Sequence, residues 1–198
     1  MKNLRDKLLK GETLTINQNG LVSDDNNNSN ETSMPIPKGK LAVRQWYERD
    51  PQLLQDEKTA MNMKFPSFTL TKLGGGDNRL AWHGELRIGT FRKFAWKIAA
   101  IYNNDHPIKI MGTSVKIILM EPTIESLTQQ IGWTPPHVLH SEEDGYYLCT
   151  ARAEDVQADE RVTSAAQCIA FAGKWLFAME LCIHGLLTRE AFSRHNFI

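Results

Sequence analysis

The sequence has few cysteines, no excess of charge and no long apolar run, and each shortage excludes a class of protein. Three cysteines in 198 residues are too few, and odd in number, for a disulfide framework, and they favour a reducing, cytoplasmic setting. With 23 basic and 23 acidic residues, no partnership with nucleic acid or an anionic membrane is expected. No apolar run approaches the roughly 20 residues of a membrane span, and the N-terminus lacks the apolar core of a secretory signal.

The remaining composition is that of a globular domain preceded by a tail. Apolar residues make up 41% of the chain and charged residues 23%, which are ordinary values for a soluble domain with one core. Residues 1–36 are predicted to be a flexible tail, because Ser23 to Ser33 contains no apolar residue. Leu4 to Leu21 fits either a frayed terminus or a docking peptide for a partner. Residues 37–198 are predicted to form the folded domain.

Periodicity in the folded part predicts an α+β domain. An N-terminal helix over Leu41 to Met63 is interrupted by Asp50-Pro51, a helix-start signal. Four strands joined by short loops predict an antiparallel meander; they are Phe68 to Leu73, Leu80 to Ile88, Lys93 to Tyr102 and Val115 to Met120. Ser164 to His184 has the spacing of a long helix, with Ser164 and Gln167 as a capping box and Gly185 as a stop.

The same periodicity predicts the core. The expected buried residues are Trp82, Phe94, Trp96, Ile98, Ile117, Trp175 and Met179. Cys168 and Cys182 lie on the apolar stripe of the long helix and are interpreted as small core residues. The chain has no close-spaced Cys or His pairs of the kind that bind zinc, and we expect neither a metal nor a cofactor.

The stretch from Pro135 to Thr150 is the candidate for chemistry. Its prolines, acidic residues and glycine predict a long connection, in which Tyr146-Tyr147-Leu148 leads to Cys149. A thiol on a connection with His137 and His140 nearby in sequence is a candidate nucleophile. Loop packing or solvent contact explains the two histidines equally well. Glu142, Glu143 and Asp144 are predicted to form a solvated loop.

Three motifs in this order resemble the ubiquitin-conjugating enzyme (UBC) family. Trp82-His83-Gly84-Glu85-Leu86 looks like the family's Trp-x-Gly strand. Pro136-His137-Val138, followed by Gly145-Tyr146-Tyr147-Leu148-Cys149, is similar to its His-Pro-Asn segment and its Gly-x-Ile-Cys ending. Lys174-Trp175-Leu176, with Glu180 and Gly185 after it, resembles a helix of bacterial members. The resemblance covers about residues 40 to 187 and implies a UBC-like fold, with a four-stranded meander flanked by an N-terminal and a long C-terminal helix.

The departures from the family pattern favour its bacterial branch. The Asn of the eukaryotic motif is absent, one extra residue separates Gly145 from Cys149, and Thr150 replaces the usual apolar residue. Bacterial members occur in antiphage operons beside an activating enzyme and a ubiquitin-like protein or a nucleotidyltransferase, sometimes with a deconjugating peptidase. The resemblance therefore implies those partners for this chain, together with a target protein.

The resemblance also implies a reaction. Cys149 would carry the C-terminus of a ubiquitin-like protein as a thioester and pass it to a target amine. His137 or His140 would donate to the oxyanion, and Asp155, Asp159 or Glu160 would orient or deprotonate the amine. Two alternatives stay open. One is a catalytically silent module that binds a ubiquitin-like protein non-covalently, and the other is a cysteine hydrolase that uses Cys149 with His137 or His140.

Overall fold

The computed structural model describes residues 14–17, 22–24, 33–35, 44–88, 95–108, 113–150 and 163–194. The chain divides into two compact units, residues 1–44 and residues 45–198. The first unit contains a three-stranded antiparallel sheet. Its strands are β1 (Leu14–Asn17), β2 (Val22–Asp24) and β3 (Ser33–Pro35), in the order β2-β1-β3.

Ser23, Asp24 and Ser33 thus lie in strands, although composition predicted a disordered run. Main-chain pairing of such short strands does not require apolar side chains. Residues 25–32 lie outside the described ranges.

The second unit begins with two helices separated at Asp50, as the sequence predicted. Helix α1 is Trp46–Arg49 and helix α2 is Pro51–Lys64. The Asp50 carboxylate accepts a hydrogen bond from the Leu53 amide at 3.0 Å, and Pro51 occupies the first position of α2. Proline is tolerated there because that amide has no partner within the helix. The break therefore follows from local capping chemistry.

A six-stranded antiparallel sheet forms the centre of this unit, in the order β4-β5-β6-β7-β9-β8. Its first four strands are consecutive neighbours and confirm the predicted meander; they are β4 (Thr69–Lys72), β5 (Leu80–Leu86), β6 (Trp96–Tyr102) and β7 (Val115–Glu121). The prediction of four strands was incomplete, because β8 (Val138–Ser141) and β9 (Gly145–Leu148) extend the sheet beyond β7. Between β7 and β8 lies helix α3 (Ile124–Ile131), capped by Thr123 and ended by Gly132, which was not predicted from the sequence.

Helix α4 (Ala165–Ile183) packs on β6, β7 and α2 and confirms the predicted long helix. The Ser164 hydroxyl caps it by accepting from the Gln167 amide at 3.1 Å. By length and composition alone α4 could cross a membrane, but half of it is buried inside the protein, as in the core helix of a packed domain. A short helix, α5 (Arg189–Phe192), follows.

Six predicted core residues are confirmed as buried: Trp82, Trp96, Ile98, Ile117, Trp175 and Met179. Phe94 lies outside the described ranges.

A buried carboxyl joins three elements of the core. Glu57 of α2 is 3% exposed; its Oε2 accepts from the Tyr102 hydroxyl at 2.6 Å and from the Ala165 amide at 2.9 Å. The Tyr102 oxygen in turn accepts from Trp82 Nε1 at 2.9 Å. Burial raises the pKa of Glu57, and the hydrogen bonds from Tyr102 and Ala165 oppose that rise. The cluster ties α2, the sheet and the first turn of α4 together.

His106 lies against the same cluster. Its Nδ1 is 2.8 Å from the Ser114 hydroxyl, and its ring centroid is 4.5 Å from that of Trp46. Burial lowers the pKa of His106 to about 4. The ring is therefore neutral in the folded protein at neutral pH.

Gly84 generates a first prediction, because a Cβ at this position would lie 2.4 Å from the Phe68 ring. The Phe68 ring is buried and cannot move away freely, so Gly84→Ala should lower the free energy of unfolding by about 1–3 kcal/mol. Gly74→Ala is the matched control, since no atom lies within 4 Å of its Cβ. Urea denaturation of both variants measures the difference; equal stabilities would show that the Phe68–Gly84 packing is wrong.

His106 generates a second prediction, on pH dependence. The unfolded chain takes up a proton at histidine near pH 6.5, whereas folded His106 does so near pH 4. Stability is therefore retained above pH 6.5 and lost as pH falls from about 6.5 to about 4, by roughly 2–3 kcal/mol. Asn at this position can still bond Ser114 but does not titrate, so His106→Asn should lose less stability over the same interval. The raised pKa of Glu57 makes stability rise as pH falls, which is the opposite dependence, but Glu57 is present in both proteins. Parallel stability curves for the two proteins would contradict the burial of a neutral His106.

Candidate functional site

The segment before Cys149 is a β-hairpin, and the prediction of an irregular connection is wrong at this point. Strands β8 and β9 pair from Ser141–Gly145 to Val138–Leu148. Residues 142–144 form the turn, and Gly145, the first residue after it, has φ +70°, a left-handed conformation that favours glycine. Tyr146, Tyr147 and Leu148 favour a strand, and the acidic turn residues concealed the pattern in the sequence.

Cys149 follows β9 directly and continues the hairpin by one pair. Its amide donates to the His137 carbonyl at 2.9 Å. His137 has φ +57°, unusual for a residue other than glycine, and this conformation turns the chain into β8. The Cys149 residue is partly exposed, whereas Leu148 and Thr150 on either side are buried. Cys149 thus lies at the edge of the core, and a backbone hydrogen bond to His137 fixes its main chain.

The His137 backbone bonds Cys149, and the His137 ring contacts α5. The His137 Nε2 lies 3.2 Å from the Phe192 carbonyl oxygen of α5. A carbonyl can only accept, so Nε2 carries the proton, and a neutral His137 ring has its lone pair on Nδ1. A donor role at Nδ1 therefore requires the protonated ring.

His140 is set apart from Cys149 by the register of the hairpin. It is paired with Tyr146, three residues before Cys149, which corresponds to about 10 Å along a strand. Side chains alternate between the two faces of a strand, so Tyr146 and Cys149 point to opposite sides. His140 is exposed, and its ring centroid is 4.9 Å from that of Tyr146. This geometry favours His137 over His140 as the histidine of the site.

The turn of the hairpin is anchored by a buried ion network. Asp144 bonds Arg79 through two contacts, of 2.7 Å and 3.2 Å, and Lys116 Nζ at 2.5 Å. The Asp144 side chain is 3% exposed and that of Arg79 is 4% exposed, so the prediction of a solvated loop is wrong for Asp144. Burial alone would raise the pKa of Asp144, but the hydrogen bonds from Arg79 and Lys116 outweigh it and lower that pKa. Glu143 agrees with the prediction in being 58% exposed, 3.4 Å from Arg79.

The other two thiols are less suited to nucleophilic chemistry. Cys168 is 1% exposed in α4, and burial raises its pKa to about 11, although the hydrogen bond with the Thr113 hydroxyl opposes the rise. Burial also raises the pKa of Cys182, which is partly exposed. A thiol must be ionised to attack, so Cys168 is a poor nucleophile at neutral pH, and the raised pKa of Cys182 disfavours its thiolate.

Three further observations bear on the predicted site. Asp155, Asp159 and Glu160 lie in residues 151–162, outside the described ranges. Within the described ranges, no cluster of three His, Cys, Asp or Glu residues could hold a metal ion. Glu180, quoted in the resemblance to bacterial members, is buried in α4 and accepts from Trp96 Nε1 at 2.7 Å. Its observed contact is thus a structural one.

Comparison with protein-family models, with curated proteins and with solved structures finds no match for this chain.

The ion network generates a third prediction. Asp144→Ala removes the buried carboxylate that Arg79 and Lys116 share, while Arg79 keeps its hydrogen bonds with Asp77, so this change should lower the free energy of unfolding by about 1.5–3 kcal/mol. Glu143→Ala removes a carboxylate from the same turn, but an exposed one, and should cost at most about 1 kcal/mol. Thermal or urea unfolding distinguishes the two variants. If Asp144→Ala is as mild as Glu143→Ala, the turn is not held by these ions.

Proposed function

We propose that this protein is a ubiquitin-conjugating-type acyltransferase with Cys149 as its thioester-forming residue. The observation that carries the proposal is the position of Cys149. It is a partly exposed thiol at the end of a strand that follows an antiparallel meander and precedes the long helix α4. This order of elements is the one implied by the resemblance. The burial of Cys168 supports the same assignment by excluding a competitor.

The proposed reaction has two steps, each with a defined leaving group. The Cys149 thiolate attacks the thioester carbonyl on an activating enzyme, forms a new sulfur–carbon bond and releases the thiolate of that enzyme. An amine of the target then attacks the Cys149 thioester, an amide forms, the Cys149 thiolate leaves and the amine loses a proton to a base. His137 would stabilise the oxyanion in its protonated form, through Nδ1.

The proposed reaction also implies the partners. They are a ubiquitin-like protein, its activating enzyme, and a target protein or a nucleotidyltransferase that supplies the amine. The reaction needs no metal or cofactor on this chain, because ATP is consumed by the activating enzyme.

The test is adduct formation with the cognate activating enzyme, ATP and the ubiquitin-like protein. The wild type should form an adduct that thiol reductant removes, because a thioester exchanges with thiols. Cys149→Ser should give an adduct resistant to reductant, or none, since an alkoxide is harder to generate than a thiolate. Cys168→Ser is the matched control and should form the labile adduct, because its thiol is buried.

Two results would contradict the proposal. An adduct that persists in Cys149→Ala would move the carrier to another residue. Tight non-covalent binding of the ubiquitin-like protein by the wild type, with no adduct at any enzyme concentration, would identify a catalytically silent binding module instead.

A further inference from the structure

Pro136 and His137 precede β8, and His137 lies opposite Cys149 in the hairpin. Both residues are hydrogen-bonded to the C-terminal helices α4 and α5. Trp175 Nε1 of α4 donates to the Pro136 carbonyl at 2.9 Å. His137 Nε2 donates to the Phe192 carbonyl of α5 at 3.2 Å. The residue that pairs with Cys149 is therefore fixed both by the hairpin and by the end of the chain.

Phe192 is the residue through which α5 is anchored. It is completely buried; its ring centroid is 5.7 Å from that of Trp175 and 6.1 Å from that of His137. At the start of α5, the Thr188 hydroxyl accepts from the Ala191 amide at 3.1 Å. A four-residue helix is too short to be stable by itself, so its position depends on this packing and on its cap.

The hairpin depends on such support because its pairing with the rest of the sheet is slight. Strands β7 and β9 are paired at one position, Ile117 with Leu148. The ion network of Asp144 holds the turn, at the far end from Cys149. The near end is held by the contacts of Pro136 and His137 with α4 and α5.

We propose that α5 is a positioning element for Cys149, acting through Phe192 and His137. With α5 in place, His137 keeps its left-handed conformation and its bond to the Cys149 amide, and the thiol stays partly covered. Release of α5 frees the Pro136–His137 step, opens that pair and exposes the thiol in an undefined orientation. The inference rests on the proposed function only in taking Cys149 as the acyl carrier, and the reactivity of this thiol can be measured without any partner.

The experiment measures the rate at which iodoacetamide alkylates Cys149 in the full chain, with peptide mapping and a pH profile. In Phe192→Ala the limiting rate at high pH, where the thiol is ionised, should rise about three- to tenfold because local opening exposes the sulfur. Thr188→Ala, an exposed change that removes only the cap of α5, should raise it less and in the same direction. Met61→Ala is the control, because it creates a cavity at a fully buried position of α2 and should leave the rate unchanged.

A spectroscopic readout separates positioning from general loosening. At a pH high enough to keep the ring neutral, nitrogen NMR of His137 should show the Nε2–H tautomer in the wild type and in Met61→Ala, and a mixture of tautomers in Phe192→Ala. An unchanged alkylation rate in both α5 variants, or an equal rise in Met61→Ala, would overturn the positioning role. If Phe192→Ala does not fold, Thr188→Ala decides the matter alone.

The two proposals fail in different ways. If the wild type forms no adduct with the activating enzyme but the α5 variants alkylate faster, only the acyl-carrier function is wrong. If the adduct forms while alkylation is insensitive to α5, only the positioning role is wrong.

Discussion

The packing of α4 against the sheet is the constraint on which the rest of the second unit depends. Trp175 meets Trp96 of β6 edge-on, with centroids 6.5 Å apart, and the same indole donates to Pro136 beside the candidate site. The first amide of α4 is bound by Glu57, which links the helix to α2. A single helix thus covers the meander, buries Cys168 and holds the segment that pairs with Cys149. Moving α4 would disturb the core and the site together.

Buried polar groups fix this arrangement where apolar contact alone would permit sliding. Glu57 bonds a tyrosine and a helix amide, and Asp144 bonds an arginine and a lysine. Desolvating a carboxylate is costly unless hydrogen bonds replace water, so each group tolerates little change in the distances around it. The first cluster fixes α2 and α4 to the sheet, and the second fixes the turn of the hairpin. Together the two clusters fix the sheet and the hairpin that carry Cys149.

Local patterns predicted most of the fold. Alternating residues marked the strands of the meander, Asp50-Pro51 marked the break between α1 and α2, and Ser164 with Gly185 marked the ends of α4. Strands β8 and β9 escaped because their acidic turn resembles a solvated loop. Nothing local shows that Asp144 meets Arg79, which is 65 residues away. A charge can be buried only where the fold brings such a distant partner to it. The same holds for Glu57, whose partners Tyr102 and Ala165 are distant in the sequence.

The candidate site was predicted in part. The position of Cys149 after Tyr146-Tyr147-Leu148 was readable from the sequence, and His137 is brought to it through the backbone. The separation of His140 follows from the hairpin register, and the contact of His137 with Phe192 joins positions 55 residues apart. Neither could be derived before the hairpin and α5 were known.

The central claim is that Cys149 is the reactive thiol of this chain, presented by an anchored hairpin. Competitive alkylation of the folded protein, followed by mass spectrometry of all three cysteine peptides, tests it most directly. The structure predicts that at neutral pH Cys149 reacts at least about tenfold faster than Cys168, whose burial keeps it protonated. Burial also raises the pKa of Cys182 and should slow its reaction. Equal rates for the three thiols, or a protected Cys149, would contradict the account.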